Sequence, residues 1–248
     1  MHVSIVAGGH LGDFFNIFPV VSGLHKMYNE TLDFTIPAEL NEKFPTLREF
    51  LEHQPMFNSV AFSNERQFQG IQIHGYSRVI PKPYVMSRPG ETYRAQKNAE
   101  IDNRIQIVVD DDFEFVTPDL NLDWDTSKDL VGERSQHSRR HQRKEYFLGP
   151  SGHFDNCLFL DYNDSILVNA WKVRNCKGVF ISTFTGISVM ADLMKKNHVV
   201  AWDQESVDDC LLDSPDWTVE KMFNRHYYGN RGAQLIALST FSWDQVKR

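Results

Sequence analysis

The sequence has little cysteine. Cys157, Cys176 and Cys210 are the only three in 248 residues, and they are widely spaced. An odd count at such spacing makes neither a disulfide framework nor a paired metal motif, and it fits a reducing, cytoplasmic setting. No apolar run approaches the roughly 20 residues that span a bilayer. No basic stretch followed by a long apolar segment and a small-residue cleavage site opens the chain, so no signal peptide is expected. There is no Walker phosphate-loop pattern and no internal repeat of roughly 20–50 residues. Net positive charge is also missing: the formal charge is −7, which excludes a molecule that binds polyanions over its whole surface. What remains is ordinary for a globular protein, with 41% hydrophobic and 24% charged residues, enough chain for one large domain or two small ones.

The charge is unevenly placed. Asp110, Asp111, Asp112, Glu114, Asp119, Asp123, Asp125 and Asp129 make one stretch acidic. Arg134, Arg139, Arg140, Arg143 and Lys144 follow with no acid among them. Such runs are commonly solvated faces. The alternative is an anion site, with guanidinium groups placed for phosphate. His137 and His141 stand four apart, but no carboxylate or thiol completes a metal set beside them. Ser151 and His153 lack the strand–elbow–helix setting of a hydrolase nucleophile.

Hydrophobic periodicity predicts alternating strands and helices. In the first half, strands are expected at 2–7, 32–36, 60–62 and 105–109, with one or two more hinted by Ile71, Ile73 and Val79. Helices are expected at 12–28, 39–52 and 91–104, the last capped by Thr92. In the second half, strands are expected at 113–116, 157–160, 179–181 and 199–202. Helices are expected at 134–146, after Asp164 as cap, at 186–195 and near 218–225, and 234–238 is a short apolar stretch. The alternation implies a mostly parallel α/β architecture. Two such sets suggest two Rossmann-like halves with a cleft between them, 1–109 and 110–248.

Two stretches carry candidate chemistry. A strand ending at Val6 runs into Gly8, Gly9, His10, Leu11, Gly12 and Asp13, and the apolar series Phe14, Phe15, Ile17, Phe18, Val20, Val21 and Leu24 follows. Ligands of doubly wound sheets bind where strands end and helices begin. Asp13 is therefore either a catalytic carboxylate or a helix cap. Gly9 lets substrate approach the backbone, and His10 either orients substrate or lies on the surface. In the second stretch a buried strand breaks at Ser182, Thr183, Phe184, Thr185 and Gly186, and a helix starts at once. Backbone N–H groups and the dipole of a helix N-terminus favour an anion there, and the hydroxyls add donors. An ordinary cap by Thr183 or Thr185 is the plainer alternative. Trp202 either stacks on a base or packs.

Together the two stretches resemble the heptosyltransferase-like glycosyltransferases, glycosyltransferase family nine. Gly12, Asp13 and Pro19 match its opening Gly-Asp and the proline in the following helix. Thr185 and Gly186 match its Asp-Thr-Gly-type loop, while Phe184 stands where the family usually has aspartate. The chain is short for the family, and 64–155 does not align with it. The resemblance implies a GT-B fold with an acceptor-side N-terminal domain (1–109) and a nucleotide-sugar-binding C-terminal domain (110–248). It implies an inverting hexosyl or pentosyl transfer from a nucleotide-diphosphate sugar, with no metal and no further cofactor. Asp13 would be the base; Gly9, His10 and Gly12 would line the acceptor side. Thr183, Phe184, Thr185 and Gly186, with Arg139, Arg140 and Arg143, would hold the donor phosphates. The acceptor would be a glycan or, if the small size reflects a phage genome, a hydroxymethylated pyrimidine in DNA. A sugar-nucleotide epimerase and a non-catalytic nucleotide-sugar-binding module are the alternatives.

Overall fold

The alternation of buried and half-buried residues in Leu32–Pro37 is that of a strand with one face on a core. In the computed structural model this segment is β2 of a four-stranded parallel sheet. The structure describes residues 1–6, 10–64, 70–75, 88–132, 157–161, 163–202, 218–228, 231–237 and 240–248. The chain divides into two units, Met1–Pro118 and Asp119–Arg248.

In the first unit the strand order is β3-β2-β1-β4, with β1 at His2–Ile5, β3 at Phe57–Ser63 and β4 at Ile71–Ile73. All neighbours run parallel. The chain builds outward from β1 on one side and then returns to place β4 on the other, so the strand order reverses between β1 and β4.

The helix expected at 12–28 is two helices, α1 (Leu11–Phe15) and α2 (Phe18–Tyr28). Pro19 has no N–H to give to the Phe15 carbonyl, and the helix breaks just before it. The helix expected at 39–52 divides in the same way around Pro45, into α3 (Ala38–Lys43) and α4 (Leu47–Glu52). Helix α5 (Gly90–Asn103) forms as expected, but Thr92 does not cap it. The Thr92 hydroxyl instead donates to the Asn16 carbonyl at 2.6 Å, tying α5 to the α1–α2 break.

Two expected strands, 105–109 and 113–116, are absent as strands. They form an extended strap over the first unit, with backbone partners drawn from outside any ladder. Gln96 Nε2 donates to the Ile107 carbonyl and the Asp110 N–H donates to the Pro19 carbonyl. The buried Gln54 amide both donates to Val116 O (2.9 Å) and accepts from Val116 N (3.0 Å). Phe115 inserts among Phe15, Phe18 and Phe50, with ring centroids 4.9–5.3 Å apart, and all four are fully buried. Burying each ring contributes about 1.5–3 kcal/mol. Gly23 is where the strap meets α2: a Cβ there would lie 1.7 Å from the Val108 carbonyl oxygen. The strap thus places 110–118 with the first unit, nine residues beyond the expected division.

In the second unit the parallel order is β6-β5-β7-β8-β9. The strands are β5 (Asp129–Val131), β6 (Cys157–Phe159), β7 (Phe180–Ser182), β8 (His198–Trp202) and β9 (Ala233–Ala237). Helix α6 (Ile166–Asn175) is capped by Ser165, not by Asp164; Ser165 accepts from Val168 N, while Asp164 pairs with Lys172 at 2.5 Å. Helices α7 (Gly186–Leu193) and α8 (Val219–His226) follow β7 and precede β9. Val179, Ile181, Val199 and Val246 form a small core that Ile236, Phe241 and Trp243 cover. Cys157 and Cys176 are buried and unbridged, and burial pushes both thiols up, Cys157 to about 11. The helix expected at 134–146 and the strand hinted at Val79 lie outside the described residues.

Candidate functional site

Open parallel sheets bind ligands at the carboxyl ends of their strands, where the strand order reverses. In the second unit that point lies between β5 and β7. Gly132 ends β5 beside it, and a Cβ on Gly132 would stand 2.9 Å from Ser182 Oγ. Ser182 to Gly186 leaves the carboxyl end of β7 at the same point.

The loop is held by hydroxyls. Thr185 is the N-cap of α7: its Oγ1 accepts from Ser188 N, while Ser188 Oγ accepts from Thr185 N, closing a capping box. Ser182 Oγ and Thr185 Oγ1 are 3.0 Å apart and hydrogen-bonded. Of the two threonines considered as cap, Thr185 takes that role. Thr183 Oγ1 is buried and has no hydrogen-bond partner among the described residues. A buried hydroxyl left without a partner costs about 1–3 kcal/mol, which an incoming acceptor atom would recover. The first N–H groups of α7, at Gly186 and Ile187, have no intrahelical partner by helix geometry. Phe184 is half-buried, its ring edge-on to Tyr227 at 5.9 Å.

Beneath the loop lies a buried polar group that the sequence reading did not single out. Tyr227, just past α8, sets its hydroxyl 2.5 Å from Ser188 Oγ. Asp192 on α7 is fully buried; its Oδ2 accepts from Tyr228 N at 2.8 Å and its Oδ1 has no partner among the described residues. Burial pushes this carboxyl up to about 7, against the pull of the Tyr228 N–H and Arg231. His198 on β8 is also fully buried, and burial pushes it down to about 4. Its Nδ1 lies 2.7 Å from the Lys196 carbonyl. Ser188 carries a local sequence signal, as the fourth residue of a Thr-x-x-Ser cap; Tyr227, Asp192 and His198 carry none.

In the first unit the reversal lies between β1 and β4, and Asp13 follows β1. The N-cap of α1 is His10, exposed and without a side-chain cap bond. Asp13 sits inside the first turn and is buried, 7% exposed. It is therefore not the N-cap residue. Gly12 lies in α1, where its carbonyl accepts from Asn16 N. Across the reversal, His74 follows β4 and its Nε2 lies 2.9 Å from Asp102 Oδ2. Gly9, Arg139, Arg140 and Arg143 lie outside the described residues. Trp202 ends β8, partly exposed. No group of three or more His, Cys, Asp or Glu side chains among the described residues is arranged to hold a metal ion.

The chain is similar to Escherichia coli heptosyltransferase WaaC with ADP, with TM-score 0.61 and 11% identity, covering 99% of this chain and 98% of that one. It has the GT-B fold. Two further structures agree. One is a glycosyl transferase family 9 protein from Veillonella parvula (TM-score 0.58, 10% identity, 95% of this chain and 85% of that one). The other is E. coli ADP-heptose lps heptosyltransferase II (TM-score 0.58, 11% identity, 95% and 90%). No protein-family model matches the chain, and no curated protein sequence matches it. At these identities the likeness is one of fold. The expectation of two Rossmann-like GT-B halves is met by two parallel sheets, each with its own reversal point.

Proposed function

We propose that this chain is an inverting glycosyltransferase that uses a nucleotide-diphosphate sugar. The observation that carries the reading is the β7–α7 junction. It combines a capped helix N-terminus at the sheet's reversal point with a buried Thr183 hydroxyl that has no hydrogen-bond partner among the described residues. A diphosphate supplies acceptor oxygens for that hydroxyl and for the α7 N–H groups, and the helix dipole favours its charge. Arg139, Arg140 and Arg143 fall in the sequence between β5 and β6, and in this reading they add positive charge. The GT-B likeness to heptosyltransferases, one of them with ADP, supports the same assignment.

Asp13 is the base in this reading. An inverting transfer needs a group to take the proton from the acceptor hydroxyl as its oxygen attacks the anomeric carbon. The bond from that carbon to the diphosphate oxygen breaks in the same step, and the diphosphate leaves with the electron pair. A buried carboxylate following β1, at the carboxyl edge of its sheet, suits the proton transfer. The departing charge falls to hydroxyls, backbone amides and cations.

The test offers ADP-, UDP- and GDP-sugars with two acceptors, a glycan and hydroxymethylated DNA, and measures the free nucleoside diphosphate released. Release should require an acceptor. Asp13→Asn should lower kcat by roughly 10²–10⁴-fold while donor affinity holds. Full activity in Asp13→Asn removes the base assignment. Binding of donor without acceptor-stimulated release would favour a non-catalytic module, and a changed sugar without any acceptor would favour an epimerase.

A further inference from the structure

We infer that Tyr227 is a positioning residue for the Thr183–Gly186 loop, holding it in the shape that accepts the diphosphate of a nucleotide sugar. The inference rests on the diphosphate reading of that loop.

Hydrogen-bond accounting fixes the direction of the contact. Ser188 Oγ has one proton and two lone pairs. The Thr183 carbonyl, at 2.9 Å, and the Thr185 carbonyl, at 2.8 Å, can only accept, so the Ser188 proton goes to them. The Thr185 N–H takes one lone pair. The remaining one accepts the Tyr227 O–H at 2.5 Å. Burial and the nearby Asp192 carboxyl hold the phenol well above its ordinary range, so it keeps its proton to donate. With Tyr227 in place, every hydrogen-bonding capacity of Ser188 is filled by the loop or by the tyrosine beneath it. Ser188 cannot turn away to another partner without leaving a buried group unpaired.

The Tyr227 ring works on the same loop from its side. Phe184, within the loop, packs edge-on against it, and Phe223 of α8 stacks on it at 5.0 Å with planes 18° apart. His198 lies 5.9 Å away on β8. Behind it, Asp192 fixes the next residue through the Tyr228 N–H. Tyr227 therefore joins four elements, β8, the β7–α7 loop, α7 and α8. Its hydroxyl is the part that reaches the loop backbone through Ser188. That makes it a determinant of loop shape and not merely of core volume.

The experiment titrates ADP, UDP and GDP, and the matching nucleosides, into the full chain and two variants by calorimetry. Thermal unfolding is measured on each. Tyr227→Phe keeps the ring and removes the hydroxyl; Ser188→Ala removes its partner. The expected result is about tenfold weaker diphosphate binding in both variants, with nucleoside binding unchanged. In turnover the donor KM rises while kcat holds. A merely structural role would lower the unfolding temperature without separating diphosphate from nucleoside. Equal diphosphate affinity in a folded Tyr227→Phe overturns the inference and leaves the site reading standing. If Tyr227→Phe does not fold, equal affinity in Ser188→Ala overturns it. If the unaltered chain binds none of the three diphosphates, the site reading itself falls, and the inference with it.

Discussion

Asp192 and His198 are both fully buried and pushed in opposite directions, one to about 7 and the other to about 4, from ordinary values of 3.8 and 6.5. Between pH 4 and 6.5 the folded chain therefore carries one proton on this pair, on Asp192. The unfolded chain also carries one, on His198. Their contributions to the pH dependence of stability cancel across that window. Removing either uncovers the other. Asp192→Asn leaves His198, whose lowered value gives stability that is full above pH 6.5 and lost as pH falls toward 4. His198→Gln leaves Asp192, whose raised value gives stability that is full below pH 4 and lost as pH rises toward 7. Each slope should approach roughly 1 kcal/mol per pH unit. Urea unfolding at pH 4.5, 5.5 and 6.5 checks this, and two variants as flat as the parent would contradict it. Neither residue drew notice in the sequence. Asp192 sits between Ala191 and Leu193 as an interruption in an apolar helix face, and nothing local reports that it is sealed beneath Tyr228.

Caps of the same chemistry begin α6 and α7, with Ser165 and Thr185 each accepting from the backbone N–H three residues on. Each should be worth about 1 kcal/mol, so Ser165→Ala and Thr185→Ala should lower stability to a similar degree. Only Thr185→Ala should also weaken ADP or UDP binding, because only that cap shapes the candidate phosphate loop. Similar binding losses in both would show a general effect of stability on binding. Elements with a local cause were legible. β1, β8 and α7 carry their own apolar pattern, and the break of β7 into a helix was readable at Thr185 and Gly186. The strap at 105–116 was not. Its apolar residues imitate a strand, but its pairing depends on Gln54, 62 residues before Val116, and on Gln96. The loop of the candidate site was legible for the same local reason. Its support from Tyr227, 39 residues beyond Ser188, was not.

All five tryptophans, Trp124, Trp171, Trp202, Trp217 and Trp243, fall within the second unit, Asp119–Arg248. The first unit depends instead on phenylalanine. Tryptophan emission therefore follows one unit and far-ultraviolet circular dichroism follows both. Gln54→Leu strips Val116 of both backbone partners, at a cost of roughly 2 kcal/mol or more. It should shift part of the dichroism transition to lower urea and leave the tryptophan midpoint in place; a matching shift in emission would mean that the units unfold together. The outer edge of β4 has a different consequence. Alternation points the Gln72 N–H and carbonyl away from β1, and the Asn103 side chain fills both, accepting at 3.2 Å and donating at 3.0 Å. One asparagine thus ends the sheet as an additional strand would. Among the described residues of β4 this leaves a second molecule no open backbone pair, the kind of protection that works against edge-to-edge pairing.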